Sequence, residues 1–182
     1  PGNLQLGGLG SICLESGMPN IVFLGAGSGF VEPLSRDVFQ MEDVQPGTLH
    51  LVDIDEERLD LSHKLARLVS DKLGTGWKVT ATTDRRKVLD DADYVINCIE
   101  VSGLGCVRHD NDIPLKYGVS QCIGDTMGPG GLFKALRTGP VWEEVLLDCE
   151  ELCPEALVLN YTNPMSILCL CLLYTSDAAD EE

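Results

Sequence analysis

The sequence predicts an α/β fold: a doubly wound parallel sheet with helices on both faces. Three observations predict it. Short runs that are apolar at every position alternate with segments of helical periodicity. The first run leads straight into a glycine-rich turn, Gly25-Ala26-Gly27-Ser28-Gly29. The second run ends on an acid, Asp53. Strands without a polar face need cover on both sides, and alternation with helices supplies it.

The elements follow in order. Ile21 to Leu24 is a continuous apolar strand that stops at Gly25. Pro33 to Gln40 forms a helix with Leu34, Val38 and Phe39 on one side. Leu49 to Val52 is the second strand. Asp55 offers an N-cap, and Glu56 and Glu57 fall in the first turn, where the helix dipole favours acids. In that helix Leu61, Leu65, Leu68, Val69 and Leu73 recur at helical spacing, so they are expected to face the core. Gly74 and Gly76 stop it.

Lys78 to Thr82 alternates and is rich in β-branched residues, a third strand. Asp84 to Leu89 is a short helix, and Tyr94 to Ile99 a fourth buried strand. From Gly103 to Gly131 the hydrophobic signal breaks, and a long loop, functional or disordered, is expected. Gly131 to Leu152 is helical, with Leu132, Leu136, Val145, Leu146, Cys149 and Leu152 as its apolar positions. Pro140 is expected to kink or restart it. Leu157 to Leu159 is the fifth strand, leading into Asn160-Tyr161-Thr162-Asn163-Pro164.

Composition narrows the function. The chain has 182 residues, 13 Lys and Arg against 29 Asp and Glu, and a formal charge of −16. Such a surface repels a phosphate backbone, so no nucleic-acid partner is expected. The longest apolar run, Ile167 to Tyr174, is far short of the ~20 residues that cross a bilayer, so no membrane partner is expected either. Eight scattered cysteines without a CxxC pair read as thiols, and the expected location is a reducing cytoplasm. Residues 1–17 lack periodicity and read as a non-native leader. Residues 171–182, beginning Cys-Leu-Leu-Tyr-Thr-Ser-Asp-Ala-Ala-Asp, read as an artefact tail resembling translated sequencing adapter. The informative domain is then 18–170.

The glycine turn points to a dinucleotide. Gly25 permits the tight turn, and Gly27 with Ser28 lets a pyrophosphate approach backbone N–H groups at a helix start. The third glycine of the usual pattern is replaced by Phe30. Asp53 at the end of the second strand would accept hydrogen bonds from a ribose and repel the extra phosphate of NADP, so NAD is the expected cofactor. Asn97, on strand four, either reaches this crevice or is a buried amide satisfied by backbone.

Several strings carry a family resemblance. They are Ile113-Pro114-Leu115-Lys116-Tyr117-Gly118, Gly124-Asp125-Thr126-Met127-Gly128-Pro129-Gly130-Gly131, Ala135-Leu136-Arg137-Thr138 and Asn160-Tyr161-Thr162-Asn163-Pro164-Met165. With the Gly25–Ser28 turn and Leu51-Val52-Asp53-Ile54-Asp55, they resemble glycoside hydrolase family 4, in particular its α-galactosidase, α-galacturonidase and α-glucuronidase members. The resemblance implies a Rossmann-type, lactate/malate dehydrogenase-like sheet, truncated before a C-terminal α+β substrate domain. It also implies hydrolysis of an α-galactoside or α-hexuronide by NAD-dependent oxidation at C3, elimination, water addition and re-reduction, with Mn²⁺ as Lewis acid.

Site residues carry over one at a time. Gly25, Gly27, Ser28 and Asp53 match cofactor-binding positions. Asp125 matches an acid that tunes the catalytic base or contacts the sugar; read alone, it is a helix N-cap. Asn163 matches a substrate-binding Asn; read alone, it starts a turn. Arg108 falls near a substrate-holding arginine; read alone, it is an exposed side chain. Cys169 departs from the Thr or Ala of the family pattern. The family's metal-binding Cys and His and its tyrosine base would lie beyond Leu170, so no metal ligand is expected in this chain. The fragment itself is expected to be inactive, and the longer protein a homo-oligomer. The alternative is a 2-hydroxyacid dehydrogenase of the lactate/malate type.

Overall fold

A computed structural model describes residues 17–121 and 128–176, with side chains as far as Cys171. The chain order is β1 (Asn20–Leu24), α1 (Val31–Phe39), β2 (Thr48–Val52), α2 (Glu56–Leu73), β3 (Lys78–Thr82) and α3 (Arg86–Leu89). It continues through β4 (Tyr94–Asn97), α4 (Gly103–Leu115), α5 (Pro129–Leu152), β5 (Leu157–Asn160) and α6 (Met165–Ser176). The sheet order is β3-β2-β1-β4-β5, and each neighbouring pair is parallel. The chain winds outward from β1 in one direction, then returns to its other side. That is the doubly wound arrangement expected from the alternating pattern.

Successive strand residues point to opposite faces, and each face has its own core. Ile21, Phe23, Leu49, Leu51 and Ile96 pack under α1 and α2, with Trp77 against Phe39 at a ring separation of 5.8 Å. Val22, Leu24, Val52 and Val95 pack under α3, α5 and α6, around a fully buried Trp142. The Trp142 indole N–H donates to the Leu168 carbonyl at 3.1 Å, which ties α6 to α5. The N-cap on α2 forms as expected: Asp55 Oδ1 accepts from Arg58 N at 3.1 Å. At the other end Gly74 takes the left-handed conformation, φ 64°.

Four expectations need correction. First, Gly103 to Gly131 is not one long loop, because α4 occupies Gly103–Leu115. Its inner face is polar: Asp110 and Pro114 are its buried residues, so no apolar period announced it. Second, α2 turns the other way. It buries Leu59, Ala66 and Ser70 against the core and leaves Leu61, Leu65 and Leu68 exposed. Of the five positions expected inside, Val69 packs against the core. Third, the first half of α5 buries Gly131, Lys134, Ala135 and Thr138, while Leu132 and Leu136 are exposed. Small residues there let α5 approach its neighbours closely. Fourth, α5 does not restart at Pro140 but runs through it as one helix.

Candidate functional site

The sheet order reverses between β1 and β4, so a crevice opens beyond their carboxyl ends. Leu24 lies opposite Asn97 at its floor. The chain turns out of β1 at Gly25, φ 77°. The Gly25 and Ala26 N–H groups both donate to the Val52 carbonyl at 2.9 Å, which pins the turn to β2. A Cβ on Gly25 would lie 2.4 Å from the Cys98 carbonyl oxygen, so glycine is required by both conformation and space.

Gly27 and Asp53 meet over this turn. The Gly27 N–H donates to Asp53 Oδ2 at 2.6 Å, and the Asp55 N–H to Asp53 Oδ1 at 2.9 Å. Each carboxylate oxygen thus accepts one bond and keeps a lone pair for a further donor. A Cβ on Gly27 would approach Asp53 Oδ2 to 2.9 Å and the Arg58 Cβ to 3.0 Å. The Ser28 hydroxyl accepts from Phe30 N at 3.3 Å. No side chain caps the start of α1, whose first-turn acid, Glu32, is paired with Arg36. The turn therefore sets the N-terminal end of a helix dipole on one side and an oriented carboxylate on the other.

A second cluster closes the crevice at the ends of β4 and β5. Asn97 is fully buried. Its Nδ2 donates to Asn160 Oδ1 at 2.9 Å, and its Oδ1 accepts from Ile99 N at 3.2 Å. The amide sought for a cofactor thus joins the two strand ends. Thr162 adds a bond from its hydroxyl to the Ile99 carbonyl at 3.0 Å. Asn163 precedes a cis peptide bond to Pro164, and its Oδ1 accepts from Met165 N at 3.3 Å, at the first residue of α6.

The remaining predicted residues are dispersed. Arg108 sits on α4, its side chain 81% exposed, paired with Asp112 one turn on. Asp125 lies outside the described residues. Sequence reading missed three polar links that set α4 and α5 beside the crevice. Arg137 grips Asp110 with two bonds, at 3.0 and 2.5 Å. Lys134, almost wholly buried, pairs with Glu100 at 2.8 Å. Gln121 accepts from Gly130 N at 3.1 Å and donates to the Asp110 carbonyl at 2.9 Å. Lys134 and Arg137 lie three apart on the helix face that also buries Gly131, Ala135 and Thr138. Bases at those positions were the readable signal.

His50 and His63 serve the fold, bonding to Thr80 and to the Val79 carbonyl on β3. Burial pushes the Cys149 thiol up to about 12, helped by Cys153, and Cys98 up to about 11, so neither is a nucleophile. Among the described residues no group of three or more His, Cys, Asp and Glu is placed to hold a metal ion. No helix among them is long and apolar enough to cross a membrane. A cavity of about 900 Å³ lies at the opposite ends of the strands, lined by Asn20, Asp93 and Tyr94 among others, away from the crevice.

Known proteins share this arrangement. The chain is 40% identical over 153 residues to an α-galactosidase of Bacillus subtilis (strain 168), covering 83% of this chain and 35% of that one. It is 38% identical over 155 residues to an α-galacturonidase of Thermoanaerobacter italicus, covering 85% and 33%. A 6-phospho-α-glucosidase from gut microorganisms, solved in complex with NAD and Mn²⁺, superposes with a TM-score of 0.79 at 25% identity, over 87% of this chain and 36% of that one. A lactate dehydrogenase of Cryptosporidium parvum superposes at 0.56 and 17% identity over 88% and 40%, which shows the shared fold alone. The chain spans about a third of the length of these curated relatives. The profile described as family 4 glycosyl hydrolase matches residues 20–178, and with relatives at this level of identity the chain belongs to that family.

Proposed function

We propose that this chain is the dinucleotide-binding part of an NAD-dependent α-glycosidase acting on galactosides or hexuronides. One observation carries the reading. The Gly25–Gly27 turn is pressed onto the β4 backbone and carries Asp53 hydrogen-bonded across it. Gly25 and Gly27 let the turn lie close to its neighbours, so that a pyrophosphate would sit beside Ser28 at the N-terminus of α1. Asp53 receives the ribose hydroxyls and repels a 2′-phosphate. Asn97 positions the floor by joining β4 to β5. Asn163, at the mouth of β5, is proposed to hold the sugar, with Arg108 as a further sugar contact and Asp125 tuning the base or contacting the sugar. Held by Asp53 and the Gly25–Gly27 turn, NAD would supply a reversible hydride acceptor for the sugar, with no net redox change on hydrolysis.

No described cluster fits a metal ion, so no step is assigned to one on these residues. Mn²⁺, present in the 6-phospho-α-glucosidase, is proposed for the longer protein, with ligands outside the described residues. A homo-oligomer in a reducing cytoplasm is part of the same reading. The thiols of Cys98, Cys106, Cys149, Cys153 and Cys169, not joined in disulfides, support that compartment.

The test extends the chain to the length of its relatives and supplies NAD⁺, Mn²⁺ and p-nitrophenyl α-galactoside or α-galacturonide. Release of p-nitrophenol without accumulation of NADH is expected. Accumulation of NADH from lactate or malate, without glycoside hydrolysis, would overturn the reading in favour of a dehydrogenase.

A further inference from the structure

A second carboxylate stands across the glycine turn from Asp53. Glu100 lies just beyond β4, as Asp53 lies just beyond β2, and β1 with its turn runs between those two strands. The backbone that carries Glu100 is fixed. The Cys98 N–H donates to the Leu24 carbonyl at 2.9 Å, and the Thr162 hydroxyl donates to the Ile99 carbonyl at 3.0 Å. The turn presses on the same segment, since a Cβ on Gly25 would lie 2.7 Å from Ile99 N. The side chain is held as well. Lys134 Nζ lies 2.8 Å from Glu100 Oε2. The lysine side chain is 7% exposed and that of Glu100 39%. A buried ammonium needs its carboxylate, so the pair keeps Glu100 in one place while Oε1 stays open to a further donor.

We infer that Glu100 binds the second ribose of the dinucleotide, accepting from its hydroxyls as Asp53 would from those of the first, an assignment that rests on the dinucleotide reading of the turn. Connectivity selects the ligand. A dinucleotide carries two ribose diols joined through one pyrophosphate. With the pyrophosphate beside Ser28 and one ribose at Asp53 on the β2 side, the other ribose leaves the turn on the β4 side. A fixed carboxylate there meets a diol with charge-assisted hydrogen bonds. The two acids then grip the cofactor at both ends of the pyrophosphate.

Calorimetric titration of the chain with NAD⁺, ADP-ribose and ADP tests it. ADP-ribose contains both riboses, and ADP only the first. Glu100→Ala is expected to weaken NAD⁺ and ADP-ribose by about tenfold and to leave ADP unchanged, which also shows that the variant folds. Glu100→Gln keeps an acceptor oxygen, and a smaller loss on the same two ligands is expected. Asp53→Ala should weaken all three. A Glu100→Ala chain that binds NAD⁺ and ADP-ribose like the wild type, or that loses ADP to the same extent, would overturn the inference and leave the reading of the turn standing. A wild-type chain that binds none of the three would overturn both.

Discussion

Substituting Gly25 by alanine tests how the crevice is built. The new Cβ would lie 2.4 Å from the Cys98 carbonyl oxygen, 2.5 Å from its carbon and 2.7 Å from Ile99 N. Ordinary contact begins near 3.4 Å, so the backbone after β4 must retreat by about 1 Å, an overpacking that costs ~1–3 kcal/mol. That movement strains the bond from Cys98 N to the Leu24 carbonyl, 2.9 Å, whose loss costs ~1 kcal/mol. The φ of 77° adds ~1–2 kcal/mol for any residue with a Cβ. Together the loss is about 3–6 kcal/mol, much of the ~5–15 kcal/mol a domain holds. Gly29→Ala is the control. Its Cβ would meet nothing within 4 Å, and a change within ~1 kcal/mol is expected. Urea unfolding followed through Trp77 and Trp142, buried on opposite faces of the sheet, measures both. Equal midpoints for Gly25→Ala and Gly29→Ala would refute the reasoning.

Three further outcomes are expected. Asp55→Ala removes the N-cap of α2 and lowers stability by ~1 kcal/mol in the same urea assay. Arg137→Ala leaves the buried Asp110 carboxylate without its two bonds, and a loss of ~3 kcal/mol is expected, partly recovered when Asp110→Ala is added. Burial, aided by Lys78, holds the His50 imidazole below its usual range. The unfolded chain therefore takes up a proton first, so His50's contribution is complete above about pH 6.5 and is lost as pH falls through the lower folded value. A pH series of thermal midpoints should show this slope, and His50→Gln should flatten it.

The strands and the glycine turn after β1 were legible because their signals are local. Buried parallel strands are apolar throughout, and Gly25, Gly27 and Asp53 stand at fixed places relative to the first two. Helix orientation was less legible. On α2 the leucines at 61, 65 and 68 outweigh Leu59, Ala66 and Ser70 in hydrophobicity, yet the smaller set faces the core. Close packing of α2 beneath α1 favours small side chains, and periodicity alone cannot say which apolar stripe a neighbour covers. The helix α4 escaped notice for a related reason. Its attachments are polar, from Asp110 to Arg137 and from the Asp110 carbonyl to Gln121, and a hydrophobic pattern does not register them. Asn97 lies at the crevice as its place on the fourth strand implied, and its bonds to Asn160 and Ile99 depend on segments distant in sequence or beyond the strand, which a local pattern does not register.

Calorimetric titration of the chain with NAD⁺ and with NADP⁺, alongside Asp53→Ala, decides whether Asp53 and the Gly25–Gly27 turn make an NAD site. NAD⁺ is expected to bind at least tenfold more tightly than NADP⁺, and Asp53→Ala to weaken NAD⁺ binding and abolish the preference. Equal affinity for the two dinucleotides, or a folded chain that takes up neither, would contradict that assignment.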